Sequence, residues 1–346
     1  MTITAGSELP ETMRVSVLSQ PGELGLEERP VPRPGPDEVL VAIRSVGVCG
    51  SDVHYYEHGR IADFVVRSPL VLGHETSGRI VAVGAGVDPG RLGARVAIEP
   101  GTPCGHCTQC KAGRYNLCPN MRFFATPPID GALAEYVLVR SDLAFDVPDQ
   151  VSDDAAALLE PLSVGIWATA KAGLTAGSTV LIAGAGPIGL VTTQVARARG
   201  ATTIAVTDIA PHRLAAAGRS GATLTLDARS QEPAGQEFDA FIDCSGAPPA
   251  ITAGIRSLAP AGRAVLVGMG PDNLTIPFGL LQARELTITG TFRYANTWPA
   301  AIALAAAGAV DLDALVTDRY GLAEVDQALT STTRDGNIKS VIEPWR

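Results

Sequence analysis

No apolar run in this 346-residue sequence approaches the ~18 residues that a membrane-crossing helix needs. The opening stretch, MTITAGSELPETM, has neither a basic n-region nor an apolar h-region, so it does not read as a secretory signal. A positive field is missing too. The formal net charge is −9 and the pI about 5.1, which argues against a nucleic-acid surface. There is no internal repeat and no low-complexity tail. Cysteines number only six. Without a secretory signal the expected setting is cytoplasmic and reducing, where cysteines serve as thiolates or metal ligands rather than disulfides.

What is present is enough apolar residue, 46%, for globular cores, in a chain whose length predicts two domains of roughly 150 residues. The first half reads as short β segments punctuated by Gly and Pro, such as EVLVAIRSVGV, SGRIVAVGAGV and EYVLVR, the pattern of a partly closed barrel or sandwich. Near residue 153 the texture changes. DDAAALLEPLSVGIWATAKAG has helical spacing, and after it short apolar strands (STVLIAGAG, TTIAVTD, FDAFIDCSG, RAVLVGMG) alternate with helical stretches. That alternation means βαβ units and a parallel sheet covered on both faces. The fold class is therefore α/β. A doubly wound parallel-sheet domain, residues 159–298, is expected to be inserted into a β-rich domain built from residues 1–158 and 299–346.

GAGPIG, residues 184–189, fits G-x-G-x-x-G after a strand and at the opening of a helix. Gly184 can make the tight turn, and Gly186 can let a pyrophosphate approach the backbone. Pro187 and Ile188 lead into the helix, and Gly189 lets it pack closely on the strand. Asp208 closes the next strand, where a carboxylate accepts hydrogen bonds from ribose hydroxyls and repels a 2′-phosphate. NAD is the expected cofactor. Arg213 pulls the other way, since a nearby arginine tolerates a phosphate.

Cys104, Cys107, Cys110 and Cys118 have the spacing C-x2-C-x2-C-x7-C. Four thiolates complete a tetrahedron around one zinc ion and leave no open position, so the loop reads as a structural clamp. An Fe–S cluster or free thiols are the alternatives, although the last spacing does not match the ferredoxin runs. His106 lies inside the loop and reads as solvated. Chemistry needs an open site. The remaining candidates are Cys49 in CGSDVHYY, His74 and Glu75 in GHE, and Glu160 in LLEPLSVG, each bland on its own.

Together, GVCGSDVHYY, LVLGHETSGRIVAVG, the cysteine loop with KAGRYNLC, LLEPLSVG, GAGPIGL and TFRYANTWP resemble the zinc-dependent medium-chain alcohol dehydrogenase superfamily over essentially the whole chain. GHE with LLEPLSVG and FRYANT is similar to its sorbitol/xylitol (polyol) dehydrogenase branch. The resemblance implies that the β-rich domain is GroES-like. It implies two zinc ions per chain, one structural and one catalytic. Cys49, His74 and Glu75 would hold the catalytic ion, with Glu160 coordinating directly or through water. It also implies NAD contacts at Ile188, Arg213, Val267, Gly268, Met269, Phe292 and Arg293, and a homotetramer. Cys244 is left over as a packed core thiol beside the nucleotide.

On that pattern zinc lowers the pKa of a bound hydroxyl, Ser51 hydrogen-bonds the substrate oxygen and His54 passes the proton to solvent. Each further polyol hydroxyl left unpaired on burial would cost about 1–3 kcal/mol, so the pocket needs polar partners. Tyr55, Glu160, Arg293 and Tyr294 are the candidates, with Phe123 and Thr126 lining one side. The expected reaction carries a hydride from a secondary hydroxyl of a polyol to NAD+, giving a ketose. Threonine, butanediol or a simple alcohol is the rival substrate. A non-enzymatic zinc module is opposed by the acidic pI and the complete nucleotide motif.

Overall fold

The computed structural model describes residues 9–231 and 236–346. Most of the opening stretch inspected for a targeting signal thus lies outside the described residues. Two compact units emerge: Met1–Glu160 with Leu312–Arg346, and Pro161–Asp311. The chain returns to the first unit at Leu312 rather than near residue 299, because the helix Trp298–Ala306 belongs to the second. Gln194 shows one cause. Its carboxamide takes both backbone groups of Asp311, accepting from the N–H at 2.5 Å and donating to the carbonyl at 3.0 Å. Apolar spacing announced a helix there but could not say which core it would join.

The first unit is β-rich. A seven-stranded sheet runs Ala144–Asp146, Arg95–Ile98, Glu75–Val83, Glu38–Gly47, Lys339–Glu343, Val316–Gly321, with Tyr136–Arg140 also paired to Glu38–Gly47. A three-stranded sheet joins Glu23–Pro30, Thr12–Gln20 and Leu70–Val71. Val15, Val17 and Leu18 from the smaller sheet and Val39, Val41 and Ile43 from the larger share one hydrophobic core, the sandwich arrangement the alternating pattern called for. The C-terminal strand Lys339–Glu343 pairs with Glu38–Gly47 through Val341 and Ile342, so residues from both ends of the chain meet at the sheet's centre.

The second unit holds a six-stranded sheet, parallel throughout. Numbered in chain order its strands lie 3-2-1-4-5-6, the doubly wound order. Strand Thr179–Ala183 sits at the switch point, buried along almost its whole length as a strand covered on both faces must be.

The helical stretch beginning at residue 153 breaks in two, Asp153–Ala157 and Leu159–Lys171. Pro161 explains the break: it has no N–H to give the carbonyl of Ala157. Glu160 consequently stands in the first turn of the second helix. Among the described residues no helix is long and apolar enough to cross a membrane.

Candidate functional site

Three side chains far apart in sequence converge in the first unit. Cys49 caps the helix Gly50–His58, and Glu75 opens the strand Glu75–Val83 with His74 just before it. One donor atom from each lies within 4.8 Å of the others. His74 and Glu75 are buried, at 7% and 1% exposure. Asp52, 2% exposed, organises this corner. Its carboxylate accepts from the Cys49 N–H at 3.1 Å and the Gly73 N–H at 3.0 Å, and lies 3.6 Å from His74 Nδ1.

Burial pulls His74 down, but the charges of Asp52 and Cys49 outweigh it and hold the imidazole well above the usual histidine range. These neighbours demand a positive charge where the three donors meet. A cation would supply it. Glu75 Oε2 is buried and makes no hydrogen bond, although the Lys339 ammonium lies 2.6 Å away, so the oxygen keeps a lone pair that a metal could take. One thiolate, one imidazole and one carboxylate are also a donor set that zinc accepts, with a position left open. The residues fit the ion.

Glu160 is buried at 6% exposure but lies outside that three-donor group. Its charge is felt by Lys339 and by Glu99. Glu99 accepts from the Tyr115 hydroxyl at 2.8 Å, and burial first, then the charge of Glu160, pushes it up to about 7 against that bond. The Phe123 ring stands 5.8 Å from that of His74, and Tyr55 is buried in the main core of the unit. Thr126 follows in a turn closed by Thr126 N–H to Phe123 C=O at 3.1 Å. Ser51 is in the first turn of the Cys49-capped helix. One turn further His54 meets His58 edge-on, with centroids 4.6 Å apart.

Cys104, Cys107, Cys110 and Cys118 bring four sulfurs within 4.8 Å. Backbone N–H groups of His106 and Cys107 point at the Cys104 sulfur and lower its pKa to about 6, while burial and the Cys107 sulfur push Cys110 up to about 12. One thiolate is favoured and the next is resisted. That is the behaviour of a cluster whose negative charges require a cation, and it suits a closed zinc site. His106 is exposed, its Nδ1 2.8 Å from the Cys104 carbonyl, so it remains a loop residue.

In the second unit each glycine of the 184–189 turn has a separate geometric reason. Gly184 has φ 93° and lies on the backbone of Cys244 and Ser245. A Cβ at Gly189 would stand 1.8 Å from the Gly184 carbonyl oxygen, whereas one at Gly186 would meet nothing within 4 Å. The turn is tight on one side and open on the other, as a pyrophosphate cradle must be. Gly186 caps the helix Pro187–Ala198, with Pro187 in its first turn.

Asp208 accepts from the Ala185 N–H at 2.7 Å and the Ala210 N–H at 2.9 Å. A carboxylate has further lone pairs for ribose hydroxyls, so the residue both braces the turn and can read the sugar. Arg213 is five residues further, in the helix Pro211–Arg219. Val267 and Gly268 donate their N–H groups to the Asp243 carbonyl, and Met269 and Phe292 are exposed at 60% and 48%. Arg293, at φ 53°, stacks 4.8 Å over the Phe292 ring. Tyr294 is 2% exposed and packs edge-on to Trp298, so its ring is part of a packed core. Burial pushes Cys244 up to about 12, in keeping with an inert thiol.

Three residues of these sites carried no signal that sequence reading used. Asp52 could have been found as the acid three positions after a cap residue. Asp243, fully buried, takes the N–H groups of Ser245 and Gly246 and shapes the turn against Gly268. Lys339, 3% exposed, donates to Glu75 Oε1 at 2.7 Å across 264 residues of chain. No local pattern could have announced it.

Comparison with known proteins agrees with this geometry. Residues 35–149 match the family model described as Alcohol dehydrogenase GroES-like domain, and residues 187–307 match Zinc-binding dehydrogenase. Sorbitol dehydrogenase of Gallus gallus is 44% identical over 339 residues, spanning 94% of this chain and 95% of that protein. Sorbitol dehydrogenase of Bacillus subtilis (strain 168) is 43% identical over 351 residues, 98% and 99% of the two chains. The crystal structure of galactitol-1-phosphate dehydrogenase from Escherichia coli superposes with a TM-score of 0.87 at 29% identity, covering 96% of this chain and all of that one, 100%. A GroES-like unit, a doubly wound nucleotide unit and near-complete coverage by these relatives establish that the chain belongs to the zinc-dependent medium-chain alcohol dehydrogenase superfamily, in its polyol dehydrogenase branch.

Proposed function

We propose that this protein oxidises a secondary hydroxyl of a sorbitol-, xylitol- or galactitol-like polyol to a ketose, with NAD+ as hydride acceptor and two zinc ions per chain. The observation that carries the reading is the convergence of Cys49, His74 and Glu75, with Glu160 a buried carboxylate of the same unit that is not part of that group. A zinc ion held by Cys49, His74 and Glu75 supplies a Lewis acid that makes a substrate hydroxyl easier to deprotonate. Ser51 hydrogen-bonds the reacting oxygen, and His54 carries its proton towards solvent. Glu160 acts from outside the metal's protein ligands, accepting from water and from a second polyol hydroxyl. Tyr55, Thr126, Arg293 and Tyr294 serve the remaining hydroxyls, and Phe123 walls one side. The four-cysteine loop holds the second zinc and takes no part in the chemistry.

NAD rather than NADP follows from Asp208, whose charge opposes a 2′-phosphate; Ile188, Arg213, the 267–269 turn and Phe292 complete the cofactor contacts. A reducing, cytoplasmic setting suits the free thiols, and a homotetramer is the expected assembly, which light scattering checks. The functional test is NADH formation at 340 nm on xylitol, sorbitol and galactitol against threonine, 2,3-butanediol, 2-propanol and ethanol. Higher kcat/KM on at least one polyol than on any rival is expected. A clear preference for threonine, butanediol or a simple alcohol would overturn the substrate assignment and leave the fold untouched.

A further inference from the structure

Glu75 does not stand alone. Its carboxylate lies in a slot whose floor is Gly47, where a Cβ would come within 2.0 Å of Oε2 and 3.1 Å of the carboxylate carbon. From the C-terminal strand, Lys339 donates to Oε1 at 2.7 Å and sits 2.6 Å from Oε2, outside hydrogen-bonding geometry there. The same ammonium donates at 2.7 Å to the carbonyl of Val48, the residue before Cys49. Val48 in turn donates its N–H to the Ser340 carbonyl at 3.0 Å. The lysine and glutamate side chains are 3% and 1% exposed, so neither can swing out to water.

We propose that Lys339 and Gly47 are positioning residues for the catalytic metal: together they set the orientation of the Glu75 carboxylate and its spacing from Cys49. The chemistry is that of an outer partner orienting a metal-binding group. A glutamate with free torsions would sample many carboxylate poses. Here a buried cation lies against both oxygens, at 2.7 and 2.6 Å, and a glycine admits one of them. Because the ammonium also grips Val48, it ties the segment bearing Cys49 to the segment bearing Glu75. A C-terminal residue, 290 positions on from Cys49, thus sets the distance between two candidate ligands. The inference rests on the zinc reading of Cys49, His74 and Glu75.

The test uses the full-length zinc-loaded protein and three variants: Lys339→Met, which keeps length but loses charge and donors, Lys339→Arg, which keeps both, and Gly47→Ala, which crowds the carboxylate without touching a charge. Zinc release to a chromogenic chelator is followed with time, and the easily exchanged zinc is replaced by Co2+ to record its ligand-field spectrum. In Lys339→Met and Gly47→Ala, catalytic-site zinc should bind about 10–100-fold more weakly. The cobalt spectrum should shift, release from the four-cysteine loop should be unchanged, and Lys339→Arg should recover much of the loss. Wild-type release rates and spectra in both variants would overturn the proposal. So would failure of both to fold, since the pair would then be a fold element only. If Lys339→Met alone fails to fold, the Gly47→Ala spectrum decides in either direction. Wild-type protein that retains only the loop's zinc would instead sink the zinc reading of the three donors, a distinguishable outcome.

Discussion

Glu160 and Asp208 are the two carboxylates whose roles turn on single atoms. Glu160→Gln keeps the shape and removes the charge, so polyol kcat/KM should fall about 10- to 1000-fold, or roughly 1.4–4 kcal/mol. Zinc on the cysteine loop should stay. Unchanged turnover on xylitol, sorbitol and galactitol would make Glu160 a bystander. Asp208 has two duties, and two substitutions separate them. Asp208→Asn keeps an oxygen for only one of the two backbone N–H groups the carboxylate accepts, from Ala185 at 2.7 Å and Ala210 at 2.9 Å, and abolishes the repulsion of a 2′-phosphate. It should lose part of the bracing, with a modest fall in melting temperature, while the preference for NAD over NADP narrows. Asp208→Ser should lose both bracing and discrimination, raising the NAD KM further. Equal wild-type efficiency with NAD and NADP would remove the role assigned to the charge.

At the scale of an element, the cysteine loop offers a clean separation of capping from metal binding. Cys107 caps the short helix Thr108–Lys111, its sulfur accepting from the Cys110 N–H at 3.4 Å. Serine caps a helix as well or better but is a poor zinc ligand. Cys107→Ser should therefore lower zinc content from one ion per donor group towards one per chain and reduce thermal stability, because metal binding is coupled to ordering of the loop. Full zinc content with an unchanged melting temperature would show that the loop is not a zinc clamp. The strand-to-helix turn behaves differently. Gly189→Ala would drive a methyl to 1.8 Å from the Gly184 carbonyl oxygen, so the helix must retreat from the strand and nucleotide affinity should collapse. Titration of the variant with NADH fluorescence checks this, and wild-type affinity would contradict the packing argument.

For the molecule as a whole, the stability profile with pH carries the signature of Glu99. Its ordinary value is 4.5 and its folded value about 7, raised chiefly by burial. Below pH 4.5 folded and unfolded chains both hold the proton. As pH rises towards 7 the unfolded chain releases it and the folded chain does not, so stability falls across that window by roughly 2–4 kcal/mol. Glu99→Gln should flatten the slope between pH 5 and 7.5 in denaturant melts, relative to wild type. Parallel slopes would show that Glu99 is ionised in the folded chain throughout. Because Tyr115 in the cysteine loop donates to Glu99, the variant also reports whether ordering of that loop is tied to the interior.

Much of the architecture was legible locally. The β-rich start, the strand–helix alternation after residue 153, the glycine turn and the four-cysteine spacing are short-range patterns, and period and spacing translate directly into backbone geometry. The donors Cys49, His74 and Glu75 were legible only through resemblance, since each alone is an ordinary residue. Tertiary structure alone decided the rest. It assigned the helix Trp298–Ala306 to the second unit, where Gln194 also holds Asp311, and left Glu160 outside the three-donor group. It also brought Lys339 onto Glu75 across 264 residues. The physical reason is the same in each case. Local sequence sets dihedrals and faces, but which distant side chain neutralises a buried charge depends on how strands from both ends of the chain pair in one sheet.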